Sequence, residues 1–499
     1  MALGRIAASF DRVLRDRGPQ IAIEALSEGR TLSFDDIADC ADQLRRAFEQ
    51  LHLEPGRPVA LLVGNHSSFL PLLLACLRLR FVVLPLDGDS PLPEATRIAT
   101  AYEAQAMVAL QPSSAGWLPL PAGLGVRLLS SSGRNIDFAA AALLKLTSGS
   151  TDVPKAVLCT EDNLWHDGEH VVEAMGIDGT SVQLGAIPLA HSYALGNLVL
   201  PLLVHGARLV LRHGFIPPAF CRDVERCGVT VFAGVPFMFD RMIGAMGLER
   251  LPHPLRTLIT AGAPIDPATV LEFERRLQVK IHSFYGSSET GGIAYDASDD
   301  VIDPLTVGTV MPGVSVSLVE IDAPEEWPDD TPARAVPLGQ GRAEFPSASR
   351  HSAEPRTSVG RVIVRSRAVA LGYAGDSAGG TSDEVASPLR NGEFVTADIG
   401  RFDEQGRLFL IGRLSPAINV AGRKVQPEEV ERVLLQMPEI ARAAVLGVPD
   451  RVRGERLVAC VVPAGADVTP MAVRRHCARH LSPHKIPRAV VVLEALPLT

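Results

Sequence analysis

The stretch LLKLTSGSTDVPKAV, residues 143–157, decides how the rest of the chain is read. A mostly apolar run, Leu143 to Leu146, passes into four hydroxyl side chains, Thr147, Ser148, Ser150 and Thr151, around Gly149, with the cation Lys155 close behind. Backbone N–H groups of a glycine-containing loop can converge on anionic oxygens because glycine accepts positive φ, while hydroxyls and a lysine add donors and charge. Taken alone, the stretch reads equally as a phosphate-binding turn or as a solvated Ser/Thr loop. The G-x-x-x-x-G-K-[ST] spacing is absent, so it is not a Walker A loop.

Upstream, Ser33 is an N-cap with Asp36 at the capping-box position, and Ile37, Ala41, Leu44, Phe48 and Leu51 recur at helical spacing. VALLV (59–63), the helix-like FLPLLLACLRL and FVVLPLD then give strand, helix and strand, which favours a parallel pair with a crossover. The pattern returns at ARLVLRH, CRDVERCG and VTVFAGVP, and at LRTLITAG, TVLEFERRLQ and KIHSFYGSSE. An α/β core is expected. Residues 323–358, rich in Pro, Ala, Ser and charge, carry no periodicity and read as a mobile surface insertion. Beyond GRLFLIGR the pattern changes to helix PEEVERVLLQM, strands ARAAVLGVP and RLVACVVPA, and helix MAVRRHCARHL. A small second domain, joined near Leu414 and Ser415, is predicted.

Composition narrows the class. With 499 residues the chain exceeds the usual single-core size and leaves room for a cleft between domains. A net charge of −9 opposes a broad nucleic-acid surface. Seven cysteines without a C-x-x-C pair imply reduced thiols in a cytoplasm, not a disulfide frame or zinc site. The N-terminus lacks the apolar core of a secretory signal. Arg78, Arg80, His205 and Arg208 interrupt the longest apolar runs before they could span a bilayer.

LTSGSTDVPKAV resembles the phosphate loop of the adenylate-forming superfamily, which holds acyl-CoA synthetases, adenylation domains of nonribosomal peptide synthetases and firefly luciferase. TAGAP (260–264), FYGSSET (284–290), TADIGRFDEQGRLFLIGR (396–413), INVAGRKVQPEEVE (418–431) and SPHKIPRAVVVLEALPLT (482–499) follow in that family's order. The resemblance implies a large N-terminal domain, residues 1–413, of two β-sheets with flanking helices plus a distorted β-barrel. Residues 414–499 would form a small, mobile α/β lid. It also implies activation of a carboxylic acid by ATP to an acyl-AMP, then thioester formation with coenzyme A. Transfer to the phosphopantetheine of an acyl carrier protein, and a non-catalytic nucleotide-binding member, are the alternatives.

Residue roles follow from the same resemblance. Thr147, Ser148, Gly149, Ser150, Thr151 and Lys155 would hold the β- and γ-phosphates of ATP. Gly262, Ala263, Pro264 and Gly286 would line the nucleotide site. Tyr285 would stack on adenine, Ser288 would lie beside the α-phosphate, and Glu289 would be the Mg²⁺ ligand. Asp398 would bind the ribose, with Arg413 as its basic companion. His191, in IPLAHSYALGN, would orient the substrate carboxylate. That stretch lacks the aspartate with which amino-acid-activating relatives hold an α-ammonium, so an acid without an α-amine is expected. Val235, Phe237 and Met238 are either pocket wall or core. Gly422 matches the glycine past which the pantetheine thiol moves.

The chain departs from the family pattern at several places. Asp152 and Ala156 stand where glycine is usual. A carboxylate about 4 Å from a polyphosphate costs on the order of 1–4 kcal/mol unless it points away. Ser415, followed by Pro416, stands at the hinge position, where Asp or Lys is usual. Family members carry a Gly-Lys pair just after LPLT, and its lysine stabilises the adenylation transition state; the given sequence ends at Thr499. Weak adenylation by these 499 residues is the corresponding expectation, unless Lys424 or Lys485 takes over that charge.

Overall fold

The computed structural model describes residues 4–110, 116–138, 140–147, 153–244, 246–320, 334–335, 359–375, 388–390, 392–413, 418–450, 453–465 and 468–493. Three sheets organise them, of 15, 8 and 5 strands. The largest has a parallel centre in which Ile281–Ser287, Thr257–Thr260, Val231–Gly234, Val182–Gly185, Arg208–Leu211 and Ile21–Ala25 lie side by side. The strands of ARLVLRH and VTVFAGVP are therefore not neighbours, because Val182–Gly185 lies between them. The 8-stranded sheet pairs Pro58–Leu62 with Val82–Pro85 in parallel, as the strand, helix, strand pattern predicts.

Helices pack between the two large sheets through one apolar face or, where apolar all round, on every side. In Phe34–Gln50, Phe34, Ile37, Ala41, Leu44 and Phe48 are buried, and Ser33 with Asp36 closes the capping box at its start. Phe69–Arg78 is apolar and buried at every position from Phe69 to Leu77, ending on the charged Arg78. One apolar cluster runs from Val59 and Val83 of one sheet, through these helices, to Leu184 and Phe232 of the other.

The part expected as a distorted barrel is joined edge to edge with the largest sheet. Gly291–Tyr295, Thr306–Val310, Arg407–Arg413, Glu393–Phe402, Gly360–Ser366 and Val314–Glu320 continue it as antiparallel strands. Apart from 334–335, the proposed insertion at 323–358 lies outside the described residues, as do Leu414, Ser415 and Pro416.

From Ile418 onward the chain has its own sheet and core. Ile440–Asp450 and Gly454–Pro463 form its long antiparallel pair, and helices Pro427–Leu434 and Pro470–His480 cover it. Val425, Val430, Leu434, Leu457, Val461, Val473 and Cys477 make a separate apolar cluster. Among the described residues no helix is long and apolar enough to cross a membrane.

Candidate active site

Ile281–Ser287 changes the direction of the largest sheet. It pairs in parallel with Thr257–Thr260 on one edge and antiparallel with Gly291–Tyr295 on the other. Open α/β sheets bind ligands beyond the carboxyl ends of their strands at such a change. A cleft of about 2460 Å³ opens there, between the large N-terminal unit and the small C-terminal one.

The turn after this strand carries Ser288 and Glu289 into the cleft. Ser288 Oγ lies 2.7 Å from Ser192 Oγ, and Glu289 Oε1 accepts a hydrogen bond from Tyr373 at 2.9 Å. Gly291 closes the turn at φ +69°, and a Cβ there would fall 2.2 Å from Asp167 Oδ1, so a side chain is excluded twice over.

Tyr285 is only 8% exposed, and its hydroxyl donates to Asp398 Oδ2 at 2.6 Å. Burial, and then the Asp398 charge, pushes its phenol pKa well up. Arg413 Nε lies 3.5 Å from Asp398 Oδ1. The pairing depends on an irregularity in the Glu393–Phe402 and Arg407–Arg413 hairpin. Gly400 faces Leu410, but beyond the irregularity Asp398 faces Arg413. With regular pairing Asp398 would face Gly412 instead.

Thr147 and Lys155 are directly opposite across an antiparallel pair, at the base of the expected phosphate loop. Lys155 is exposed, with Nζ 5.2 Å above the Tyr373 ring. Ser148, Gly149, Ser150, Thr151 and Asp152 lie outside the described residues. Gly262, Ala263, Pro264, Gly286 and His191 line the same cleft. His191 Nε2 is 3.6 Å from Asp87 Oδ2.

The C-terminal unit reaches the cleft through the hairpin Ile418–Val420 and Arg423–Val425. Ala421 and Gly422 at its tip both have positive φ, the geometry of a tight two-residue hairpin turn. Gly422 packs so near Val235 that a Cβ would fall 2.9 Å from Val235 Cγ1. Asn419 Nδ2 donates to the Gly262 carbonyl at 2.7 Å. Val235, Phe237 and Met238 line the cleft, and Val235 and Met238 are also almost fully buried, so wall and core coincide there.

A family model described as AMP-binding enzyme matches residues 10–336, and one described as AMP-binding enzyme C-terminal domain matches residues 429–499. The chain belongs to the AMP-binding enzyme family. Among curated relatives, the 2-succinylbenzoate–CoA ligase of Geobacillus kaustophilus (strain HTA426) is 28% identical over 72% of this chain and 67% of its own length. The feruloyl-CoA synthase of an Amycolatopsis species is 27% identical over 94% of this chain and 92% of its own. A mutant of the amide bond synthetase of Marinactinospora thermotolerans superposes with a TM-score of 0.77 at 25% identity, covering 98% of this chain and 96% of that one.

Several residues of this AMP-binding enzyme site escape a motif reading. Lys145 and Asp167, both buried, form an ion pair at 3.3 Å beneath the Thr147 and Lys155 pair. Asp167 also accepts from the Gly292 N–H at 3.0 Å, which ties the pair to the Ser288 and Glu289 turn. Burial alone would depress the Lys145 ammonium, but Asp167 beside it prevails and its pKa is raised. The one sequence signal was a lone charge inside the strand LLKLT. Tyr373 and Asp87 have no local signal, and Arg423, although it lies inside INVAGRKVQPEEVE, is given no partner by that motif. Arg423 Nη1 donates to Asp87 Oδ2 at 2.7 Å. Burial disfavours the Asp87 carboxylate, yet His191 and Arg423 outweigh it and hold its pKa far below the ordinary range.

The two lysines considered as substitute cations occupy different places. Lys424 lines the cleft, where burial and Arg413 lower its pKa against the pull of Asp398 and Glu289. Lys485 is buried outside the catalytic groups, donating to Glu94 at 2.9 Å and Glu429 at 2.7 Å. The Lys485 ammonium is therefore already engaged by carboxylates.

Proposed function

We propose that the protein is an ATP-dependent, AMP-forming acid–thiol ligase that converts a carboxylic acid lacking an α-amine into a thioester, with coenzyme A as acceptor. One observation carries this reading: the Tyr285, Asp398 and Arg413 group and the Gly422 turn of the second unit open on a single cleft. Relatives named as CoA ligases agree with it. Residues 1–413 would form the binding domain and 414–499 the lid.

In the first step an oxygen of the substrate carboxylate attacks the α-phosphorus of ATP. The P–O bond to pyrophosphate breaks, and acyl-AMP remains. Tyr285 would pack on adenine, and Asp398 would accept the ribose hydroxyl hydrogens, braced by Arg413. Thr147 and Lys155, with 148–151, would hold the outer phosphates, and Ser288 would face the α-phosphate. The site fits Mg²⁺, which takes few protein ligands and prefers phosphate and water oxygens. Glu289 offers one carboxylate, and among the described residues no group of three or more ligating side chains could hold an ion alone. When bound, the ion screens phosphate charge during the transfer.

In the second step a thiol sulfur, having lost its proton, attacks the acyl carbon, the C–O bond breaks and AMP leaves. The observed arrangement suits this step, because Gly422 of the second unit faces Gly262 across the cleft. His191 would orient the acyl group. Asp87, whose carboxylate lies 3.6 Å from it, is held by Arg423 at 2.7 Å and so engaged, consistent with an acid lacking an α-ammonium.

The test is a panel of aryl, aliphatic and amino acids screened by pyrophosphate release with ATP and Mg²⁺. Active acids are then offered coenzyme A, a phosphopantetheinylated carrier protein and free amines. Coenzyme A thioester formation is expected. Preference for the carrier or an amine would replace the acceptor, and nucleotide binding without pyrophosphate release would overturn the reading.

A further inference from the structure

The chain leaving Val82–Pro85 runs through Asp87, Ser90 and Glu94 and faces two ways. Towards the cleft, Asp87 Oδ2 lies 3.6 Å from His191 Nε2. Towards the C-terminal unit, Ser90 Oγ lies 2.9 Å from Ser482 Oγ, and Ser482 Oγ donates to Glu94 at 2.7 Å. Lys485 Nζ donates to the other oxygen of Glu94 at 2.9 Å. Arg423 then reaches past these contacts, within 3.1 Å of His484 Nδ1, and donates to the same Asp87 oxygen that faces His191. The opposite oxygen, Oδ1, accepts from the Asp89 N–H at 3.1 Å. Asp87 is thus gripped from both ends while the two units are together.

We propose that Arg423 is a positioning residue for His191 that acts through Asp87: docking of the C-terminal unit draws the Asp87 carboxylate onto Arg423 and frees the imidazole to orient the acyl group. This rests on the acid–thiol ligase reading above. An N⁺–H···O⁻ bond reaches full strength near 2.7–2.9 Å, and the Arg423 contact at 2.7 Å meets that distance. The His191 contact at 3.6 Å does not, and Nε2 makes no hydrogen bond among the described residues. When the C-terminal unit leaves, Oδ2 loses its stronger donor, and His191 Nε2 is the group facing it. Asp87 then closes on the imidazole and holds it back from the substrate. The lid position is thereby passed to a residue of the opposite domain, and His191 is released when the thiol step requires it. His484 Nδ1, 3.1 Å from Arg423 Nη1 and held neutral by burial, can accept from the guanidinium and keeps it extended towards Asp87.

A mutant cycle tests this. Arg423→Ala, Asp87→Asn and the double variant are compared in thioester formation from supplied acyl-AMP, with pyrophosphate exchange measured separately. Arg423→Ala is expected to lower kcat of the thioester step about tenfold or more, since misplacing a reacting group costs at least that, while the acceptor KM stays within about twofold. Arg423→Lys should recover part of the loss. The double variant should be no slower than the slower single one, and Arg423→Ala should add nothing in a His191→Ala background. Multiplicative losses, a raised acceptor KM with unchanged kcat, or equal losses in both half-reactions would overturn the proposal. If the wild-type protein activates no carboxylate, the functional reading fails by itself. The coupling is then read from the His191 ring nitrogen resonances, which must move in Arg423→Ala and not in the exposed-site control Arg442→Ala.

Discussion

Replacing Lys485 with methionine isolates the charge that joins the two units. Lys485 Nζ donates to Glu94 at 2.9 Å and to Glu429 at 2.7 Å, with Lys485 8% and Glu94 2% exposed. Burial disfavours the ammonium, and the two carboxylates outweigh it, so its pKa is raised. Methionine keeps a stem of similar length and removes the charge. Breaking one side of a buried pair costs about 3–5 kcal/mol, because the remaining carboxylate keeps its desolvation without compensation. Glu94, however, belongs to helix Leu92–Ala101 of the large unit, and Lys485 to the small one. Separating the units returns Glu94 to water and so relieves its share of the cost, while Glu429 on helix Pro427–Leu434 stays beside the methionine within the small unit. The Glu94 share therefore falls on docking, where about 3–5 kcal/mol shifts the equilibrium by roughly two to three and a half powers of ten. Thioester formation from acyl-AMP is expected to fall on the order of 100-fold, while pyrophosphate exchange and the unfolding midpoint of the large unit change little. Hydrogen exchange should rise in Leu92–Ala101. Loss confined to pyrophosphate exchange would refute the reasoning and place the Lys485 cation at the phosphates.

Lys145→Met removes half of a buried pair that lies wholly within the large unit, so no separation relieves it; urea unfolding should show a loss of about 3–5 kcal/mol, and a change within experimental error would mean Asp167 is satisfied elsewhere. Tyr285→Phe deletes the 2.6 Å hydrogen bond to Asp398, a bond to a charged group worth about 1.5–3 kcal/mol, and because that bond stands before any nucleotide binds the loss should appear in urea unfolding; an unchanged unfolding free energy would mean that Asp398 is satisfied elsewhere. Docking should also depend on pH. Burial pushes His484 well below its ordinary pKa, and Arg423 and Lys485, which travel with it on the small unit, add to this in both forms. Separation relieves the burial that the large unit supplies, so below about pH 6.5 the separated form binds a proton that the docked form refuses. Docking is then complete above that pH and weakens as pH falls, as fluorescence transfer between labels on the two units would report; His484→Gln should flatten the curve, and an unchanged curve would exonerate the imidazole.

The parts of the fold legible in the sequence are those specified locally. Ser33 and Asp36 announce a helix because the cap and its partner are three residues apart. Pro58–Leu62, Phe69–Arg78 and Val82–Pro85 announce a parallel pair because each element is short, apolar and bounded by turn residues. The order of strands is less legible: nothing near 208–211 or 231–234 indicates that Val182–Gly185 will lie between them.

The site divides in the same way. Thr147, Lys155, Tyr285, Ser288, Glu289 and Asp398 are found by resemblance because each occupies a fixed place in a short motif. Even so, the motif does not explain why Asp398 meets Arg413, which depends on one irregular step in a hairpin. Lys145 with Asp167, and Asp87 with Arg423, are joined across 22 and 336 residues, and no local spacing encodes either contact. These missed residues act on one another, not on the nucleotide. Lys145 and Asp167 fix the turn that presents Glu289 through Gly292, and Asp87 with Arg423 fixes how the second unit meets His191. A motif names the groups expected to touch the ligand, and the charges that set where those groups point come from contacts between distant segments. An exchange at Asp167 or Asp87 would therefore leave every recognised motif intact and still change the chemistry.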